Sequence, residues 1–569
     1  MKLPQLEIPP LWLLGGWLVL NTIQAGWSPL DADEAYYWMY AQQLDWGYFD
    51  HPPMVALLVS LGKDWLPGAL GVRFGHVLAS TATVAVVWHL LNRPGGQHLW
   101  LMAALIFVQP MLHVYGFIAT PDGPLLLFAA LYLLAYRNFL QKSTLVNGAL
   151  WGLTMAGLLY SKYHGLVFIL LSVLPNVGWL IRRPGAWLAA LGGALLYAPH
   201  LYWQYANDFP SFRYHLHGRD DVYQLEFTLG YVVNQLVIFS PLLVYHYGMA
   251  VSRNSPKTSF SKALRWLIIG FLLFFLFSTA KGRTEAQWTA PLSIPLIYLV
   301  FTVARDTYPS WQHSLWRLCL LGGGIMIVAR LLLIAPREAL PFAKPFDHQP
   351  WTERLAEMAD DRPVVIQNSY RLASLYTFYT GKPAWTTSDV FYRPNQYDLW
   401  TSGREFHDQS ILFLGQEAWS FPEATPFVTH NQNMVAAPID SFQMVEGLRL
   451  LWKNSLPDTL TPGEKYPIEV GVQRPAFPDY AIDLNRGLPL DLFITFYHGK
   501  RVVSFLKLRP LANHQLPAAR VQLLYHGDFA APTDIPSGET IIELGLGYRG
   551  MPPLKGQSER ISVVIRSDP

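Results

Sequence analysis

Two adjacent carboxylates, Asp33 and Glu34, follow directly on the first apolar stretch of the chain, within the tyrosine-rich segment Asp31–Tyr40. An ionised side chain at the bilayer centre costs about 2.5–3.5 kcal/mol. An acidic pair beside a membrane entry point therefore points to chemistry, and proton transfer is the chemistry two carboxylates do best. Adjacent helical residues diverge by about a quarter-turn, so one can face a cavity while the other orients a neighbour. The plain alternative is a helix start, where acids cap the chain and suit the dipole. Asp50 and His51 open an Asp-His-Pro-Pro string, and Asp122 sits in Thr120–Pro124, a Thr-Pro-Asp-Gly-Pro turn. Asp50, His51 and Asp122 are the candidate substrate contacts, although each string also serves as an ordinary turn. Lys162, Lys281, Arg283 and Arg219 lie in loops on the side that carries these acids. Cations there oppose the usual loop bias and fit an anionic phosphate at the membrane surface, with interfacial snorkelling as the alternative. His217, in His215–Asp221, together with Asp50 would suit a divalent metal; surface histidines without metal are commoner. No other cofactor is implied.

Membrane helices must position these residues. Of 569 residues only 14 % are charged and another 14 % are aromatic, low and high respectively for a soluble protein. Apolar stretches suggest about eleven transmembrane helices. They lie near Leu11–Gly26, Phe74–Leu91, Leu99–Phe117, Leu125–Phe139, Val146–Leu159, Leu166–Ile181, Ala186–Tyr202, Phe227–Ala250, Trp266–Thr279, Trp288–Ala304 and Leu318–Ala335. The first is read as a retained helix, because Thr22–Gly26 makes a poor signal-peptide cleavage site. With the amino terminus inside, one face collects Arg93, Arg137, Lys142, Arg182, Arg183, Arg253, Lys257, Lys262, Arg265, Arg305 and Arg317, while the acids, Asp306 the clearest exception, fall on the other. An odd span count puts everything after Ala335 outside. Three regions follow: residues 1–335 in the membrane, 336–440 as a small α/β region, and 441–569 as a β-sandwich of about seven or eight strands. In the second, Val364–Gln367 and Ile411–Gly415 read as strands flanking a helix from Leu372 to Tyr379. Asp33–Leu44 reads as a helix lying in the interface, and Pro52 and Pro53 as the first turn of a short one.

The net charge of +2 and the lack of basic runs exclude nucleic acid as a partner, and the single cysteine, Cys319, excludes a disulfide framework. The chain has no Asn-x-Ser/Thr signal, which favours a bacterial envelope.

Asp33-Glu34 after the first span, the aromatic helix, His51-Pro-Pro53 and Thr120-Pro-Asp-Gly-Pro124 together resemble the GT-C glycosyltransferases that use polyprenyl-phosphate sugars. The pattern is similar to bacterial relatives of the protein O-mannosyltransferases and of the lipid A aminoarabinose transferases, over roughly residues 1–335. The resemblance implies a multi-pass inner-membrane enzyme with a periplasmic C-terminal domain. It would transfer a hexose or pentose with inversion from a polyprenyl-phosphate carrier, undecaprenyl phosphate in bacteria, to a glycolipid, glycan or protein. Asp33 resembles the family's general base, Asp122 its second-loop acid and His217 its metal-binding histidine. The aminoarabinose transferases carry Glu-Lys-Pro-Pro where this chain has Asp50-His-Pro-Pro53, a departure that points to another sugar or acceptor. Two other classes stand beside this one: a transporter or flippase of lipid-linked sugars, with midplane sites in repeated halves, and an envelope scaffold binding through its β-sandwich.

Overall fold

The computed structural model describes residues 10–218, 222–253, 258–305, 309–334, 347–416, 423–473, 482–483, 486–510, 515–516 and 522–566. The chain forms two compact units, Met1–Lys344 and Pro345–Pro569.

The first unit is helical. In chain order its helices are α1 (Leu11–Trp27), α2 (Ala32–Gln42), α3 (Met54–Ser60), α4 (Gly68–Leu90), α5 (Gly96–Phe107), α6 (Pro110–Val114), α7 (Asp122–Gln141), α8 (Leu145–Ser161) and α9 (His164–Val173). There follow α10 (Val177–Leu180), α11 (Pro184–Ala206), α12 (Pro210–Arg213), α13 (Leu225–Ile238), α14 (Val244–Ser252), α15 (Ser259–Ser278), α16 (Ser293–Arg305) and α17 (Pro309–Ile334). Every predicted apolar stretch falls on helix, but they do not all make single long rods. Among the described residues five helical segments are long and apolar enough to cross a membrane, six when a bent pair counts as one span. That measure stops short of the expected number. The bent pair is α13 and α14, which meet at 84°. Ser240 there has φ +66°, and Pro241 follows it, so the i→i−4 ladder cannot continue. Pro110 ends the ladder of α5 in the same way.

Close approach of α8 and α11 sets the middle of the bundle. A Cβ on Gly148 would lie 2.2 Å from the Gly185 carbonyl oxygen, and one on Gly152 2.7 Å from that of Ala189. Small residues four apart on both helices let the backbones touch, as at many helix contacts in membranes. Beside this seam a buried aromatic stack forms, with Trp151 4.8 Å from Tyr136 and 5.2 Å from Phe139 between ring centroids.

The second unit is rich in strands. After α18 (Gln349–Ala359) come β1 (Val364–Gln367), α19 (Tyr370–Thr380), β2 (Ala384–Thr387), β3 (Gln409–Gln416), β4 (Thr425–Val428) and β5 (Asn433–Phe442). They form one sheet in the order β2-β1-β3-β5-β4, parallel across β2, β1 and β3 and antiparallel beyond. The rest is nearly all strand: β6 (Arg449–Trp452), β7 (Thr459–Leu460), β8 (Lys465–Gln473), β9 (Ile482–Asp483), β10 (Leu490–His498), β11 (Arg501–Pro510), β12 (Gln515–Leu516), β13 (Gln522–Ala530), β14 (Gly538–Tyr548) and β15 (Ile561–Ile565). These give sheets ordered β11-β10-β14-β15-β7 and β13-β8-β6, plus the short pair β12-β9. Asp389, just past β2, joins the ends of two parallel strands by accepting from Asn368 at 2.7 Å and Gln367 at 3.2 Å.

Candidate functional site

The acidic pair opens α2, and its two members have separate surroundings. Asp31 caps the helix: its Oδ1 accepts from the Asp33 N–H at 2.9 Å, and the Glu34 carboxylate accepts from the Asp31 N–H at 3.0 Å, a capping box. Glu34 is wholly buried and paired with Arg73 of α4, whose Nε donates to it at 2.7 Å. Arg73 Nη2 donates to the Glu34 carboxylate as well, and the other Nη N–H groups donate to the carbonyls of Ala25, Ser28 and Pro29, so one guanidinium ties α4 to the α1–α2 turn. Glu34 also accepts from the Ala119 N–H at 2.7 Å. Its oxygens are thereby committed to fixing three chain segments, and this geometry favours a positioning role over proton transfer. Asp33 is half-buried in the same first turn.

The Ala119 contact leads straight to Asp122. The Thr-Pro-Asp-Gly-Pro string is a helix start rather than a free turn: Pro121 precedes α7, and Asp122, Gly123 and Pro124 form its first turn. Proline loses nothing where N–H groups lack partners, and an acid there suits the helix dipole. Asp122 accepts both oxygens' worth of hydrogen bonds from the Lys162 ammonium, at 2.8 and 2.9 Å. Both side chains are almost wholly buried, 6 % and 7 % exposed. Lys162 ends α8, so the α8–α11 seam holds it in place. The sequence reading assigned Asp122 to one substrate and Lys162 to another; the structure makes them one buried pair.

Asp50 is buried and accepts from the hydroxyls of Tyr36 and Tyr40, one turn apart on α2, at 3.0 and 3.2 Å. Its loop is pinned to α11 and α12. His200 Nδ1 contacts the Trp46 carbonyl at 2.8 Å, Trp203 donates to Asp45 at 2.7 Å, and Ser211 donates to the Tyr48 carbonyl at 3.0 Å. Gly47 lies so close to Trp203 that a Cβ would approach its ring within 2.5 Å. His51 is half-buried, 5.8 Å from the Tyr37 ring centre, and Pro52 and Pro53 precede α3 instead of opening it.

The other cations divide. Lys281 and Arg283 are exposed, and Arg283 lies 4.0 Å from Glu285, at the edge of ion-pair contact. Their loop nevertheless approaches Lys162: Trp288 packs 5.0 Å from His164, two residues beyond the lysine. Arg219 lies outside the described residues, as does the side chain of His217, so the expected metal pair cannot be placed. Among the described residues no three His, Cys, Asp or Glu side chains converge as a metal would need. Sequence reasoning overlooked Arg73, Tyr36 and Tyr40. A lone arginine inside an apolar helix was the available signal, since an intramembrane charge needs a partner.

The family model of dolichyl-phosphate-mannose-protein mannosyltransferases matches residues 50–203, which hold Asp50, His51, Asp122 and Lys162. The chain is 25 % identical to the lipid A galacturonosyltransferase RgtD of Rhizobium johnstonii, covering 70 % of this chain and 88 % of the relative. Its fold matches crystal structures of ArnT from Cupriavidus metallidurans, apo and bound to undecaprenyl phosphate. Each match has a TM-score of 0.59 at 12 % identity, covering 75 % of this chain and 97 % of ArnT. The chain has the ArnT-like GT-C fold, and the proteins it is similar to in sequence are glycosyltransferases. The family match begins after the acidic pair, so Glu34 rests on the geometry around Arg73 and Ala119.

Proposed function

We propose that the enzyme moves a sugar, with inversion, from a polyprenyl-phosphate carrier to a hydroxyl of a glycolipid at the outer face of the bacterial inner membrane. The observation that carries this reading is that Glu34, buried and held by Arg73 and the Ala119 N–H, ties the acidic pair to the segment leading into the buried Asp122–Lys162 pair. Asp33 takes the proton of the acceptor hydroxyl as its oxygen bonds to the anomeric carbon. The bond from that carbon to the phosphate oxygen breaks, and the lipid phosphate leaves with the electron pair. Lys162 spends two of its three N–H donors on Asp122, and on this reading the third serves the leaving phosphate. Lys281 and Arg283 add positive charge at the mouth. A single displacement with one base and no protein nucleophile inverts the anomeric centre. The polyprenyl donor is supported by the ArnT structure with undecaprenyl phosphate, and the glycolipid acceptor by the relative named for lipid A. The strand-rich unit belongs, on this reading, to the same outer face as the acceptor.

The test is release of polyprenyl phosphate from a polyprenyl-phosphate sugar by purified enzyme with a lipid A acceptor. Asp33→Asn should slow release by about 100- to 10,000-fold, the usual worth of a positioned base, with the unfolding temperature unchanged. Turnover at the wild-type rate would remove Asp33 from the chemistry.

A further inference from the structure

A cavity lies away from this site. It has a volume of about 690 Å³, within the range of roughly 300–1,000 Å³ that accepts organic ligands. Its polar end is formed by Thr258, Lys262 and Arg265 at the start of α15, and its apolar end by Trp266, Ile269 and Leu273 on the same helix face. Two cations and no carboxylate line it. Helices α9 and α15 run antiparallel here. His164 packs on Phe275 at 5.0 Å at one end, while Asn176 donates to the Ser259 carbonyl at 3.1 Å at the other. The cavity is therefore at the far end of these helices from Lys162, roughly 20 Å away by helix rise. Arg253 shares this end: Arg265 donates to its carbonyl.

We propose that this groove binds an anionic phospholipid of the inner leaflet. Lys262 donates one N–H to the Pro175 carbonyl at 3.0 Å and has two more for a phosphate oxygen. Below it Trp266, Ile269 and Leu273 are exposed at spacings of three and four residues, a continuous apolar track of the kind an acyl chain follows. Charge at one end and apolar surface at the other match one phospholipid, and basic pockets between helices at the inner surface are a recognised lipid-headgroup geometry. Snorkelling explains a single lysine beside lipid; it does not explain a cavity with two cations and no acid.

The full-length protein, reconstituted in phosphatidylcholine nanodiscs containing a minor fraction of either phosphatidylglycerol or undecaprenyl phosphate, provides the test by native mass spectrometry. Wild type should retain phosphatidylglycerol above its share of the bilayer. Lys262→Gln should lower that retention by about fivefold, the effect of one surface cation. Ile269→Trp, which fills the track without touching a charge, should lower it as well. Retention at the bulk share, retention unaffected by both variants, or loss of undecaprenyl phosphate in place of phosphatidylglycerol from the variants would each overturn the assignment.

Discussion

A lysine held by an aspartate inside a membrane protein is positioned but costly, and the Lys162–Asp122 pair must be judged on both counts. Removing one partner of a buried pair leaves an uncompensated charge and typically costs about 3–5 kcal/mol, whereas removing both is far milder. Asp122→Asn should therefore lower the unfolding temperature sharply. Adding Lys162→Gln to it should recover much of the loss, yet release of lipid phosphate should stay abolished. Recovery of stability and transfer together would mean that the pair only holds the fold. Parts of this site were legible in the sequence and parts were not, for a physical reason. Asp33, Glu34, Asp122 and Lys162 stand out because charge in an apolar setting is expensive. Their pairing is invisible, because it depends on α4, α7 and α8 meeting in three dimensions. The same limit split Asp122 and Lys162 between two substrates and left Arg73 unassigned.

At the scale of elements, hydropathy located the helices well because apolar length is a one-dimensional property. It could not see breaks such as Ser240–Pro241, nor the seam of α8 and α11, which depends on which glycines face one another. That seam places Lys162 at the end of α8, so it is predicted to affect catalysis from a distance. Gly148→Leu would drive a side chain into the Gly185 backbone, and overpacking of this kind costs about 1–3 kcal/mol. The expected result is a lower unfolding temperature and a fall in kcat larger than the change in KM, read from release assays at varied donor concentration. A change confined to stability would separate the seam from the site. In the strand-rich unit, the loop after β2 offers a pH dependence. Burial holds the Asp389 carboxyl above the usual aspartate range, against the hydrogen bonds from Asn368, the Phe391 N–H and Gln367 and the nearby charge of Lys555. A raised acid favours folding when protonated. Its contribution is complete below the ordinary aspartate value of about 3.9 and is lost as pH rises through its folded value. Thermal unfolding of the full chain should weaken across that window, and Asp389→Asn should flatten this part of the profile. An unchanged slope in the variant would assign the pH dependence to other groups.

For the whole molecule, orientation in the membrane decides whether the chemistry has a substrate. The proposed outward-facing site rests on electrostatics: in the sequence, basic loops alternate with the loops that carry the unusual acids, and basic loops stay inside. The structure adds an independent ruler. Lys281 follows the end of α15, near His164 and hence Lys162, while Lys262 sits in the first turns of the same helix. These lysines mark opposite ends of one span. Cys319 is buried and is the chain's single cysteine, so Cys319→Ser gives a clean background for labelling. On it, Lys281→Cys should react with a membrane-impermeant maleimide in intact spheroplasts, and Lys262→Cys only after permeabilisation. The opposite pattern would turn the Asp33 site towards the cytoplasm, where the lipid carrier presents its sugar only before flipping. The proposed acceptor would then be unreachable, and the lipid groove at Lys262 would face the outer leaflet instead.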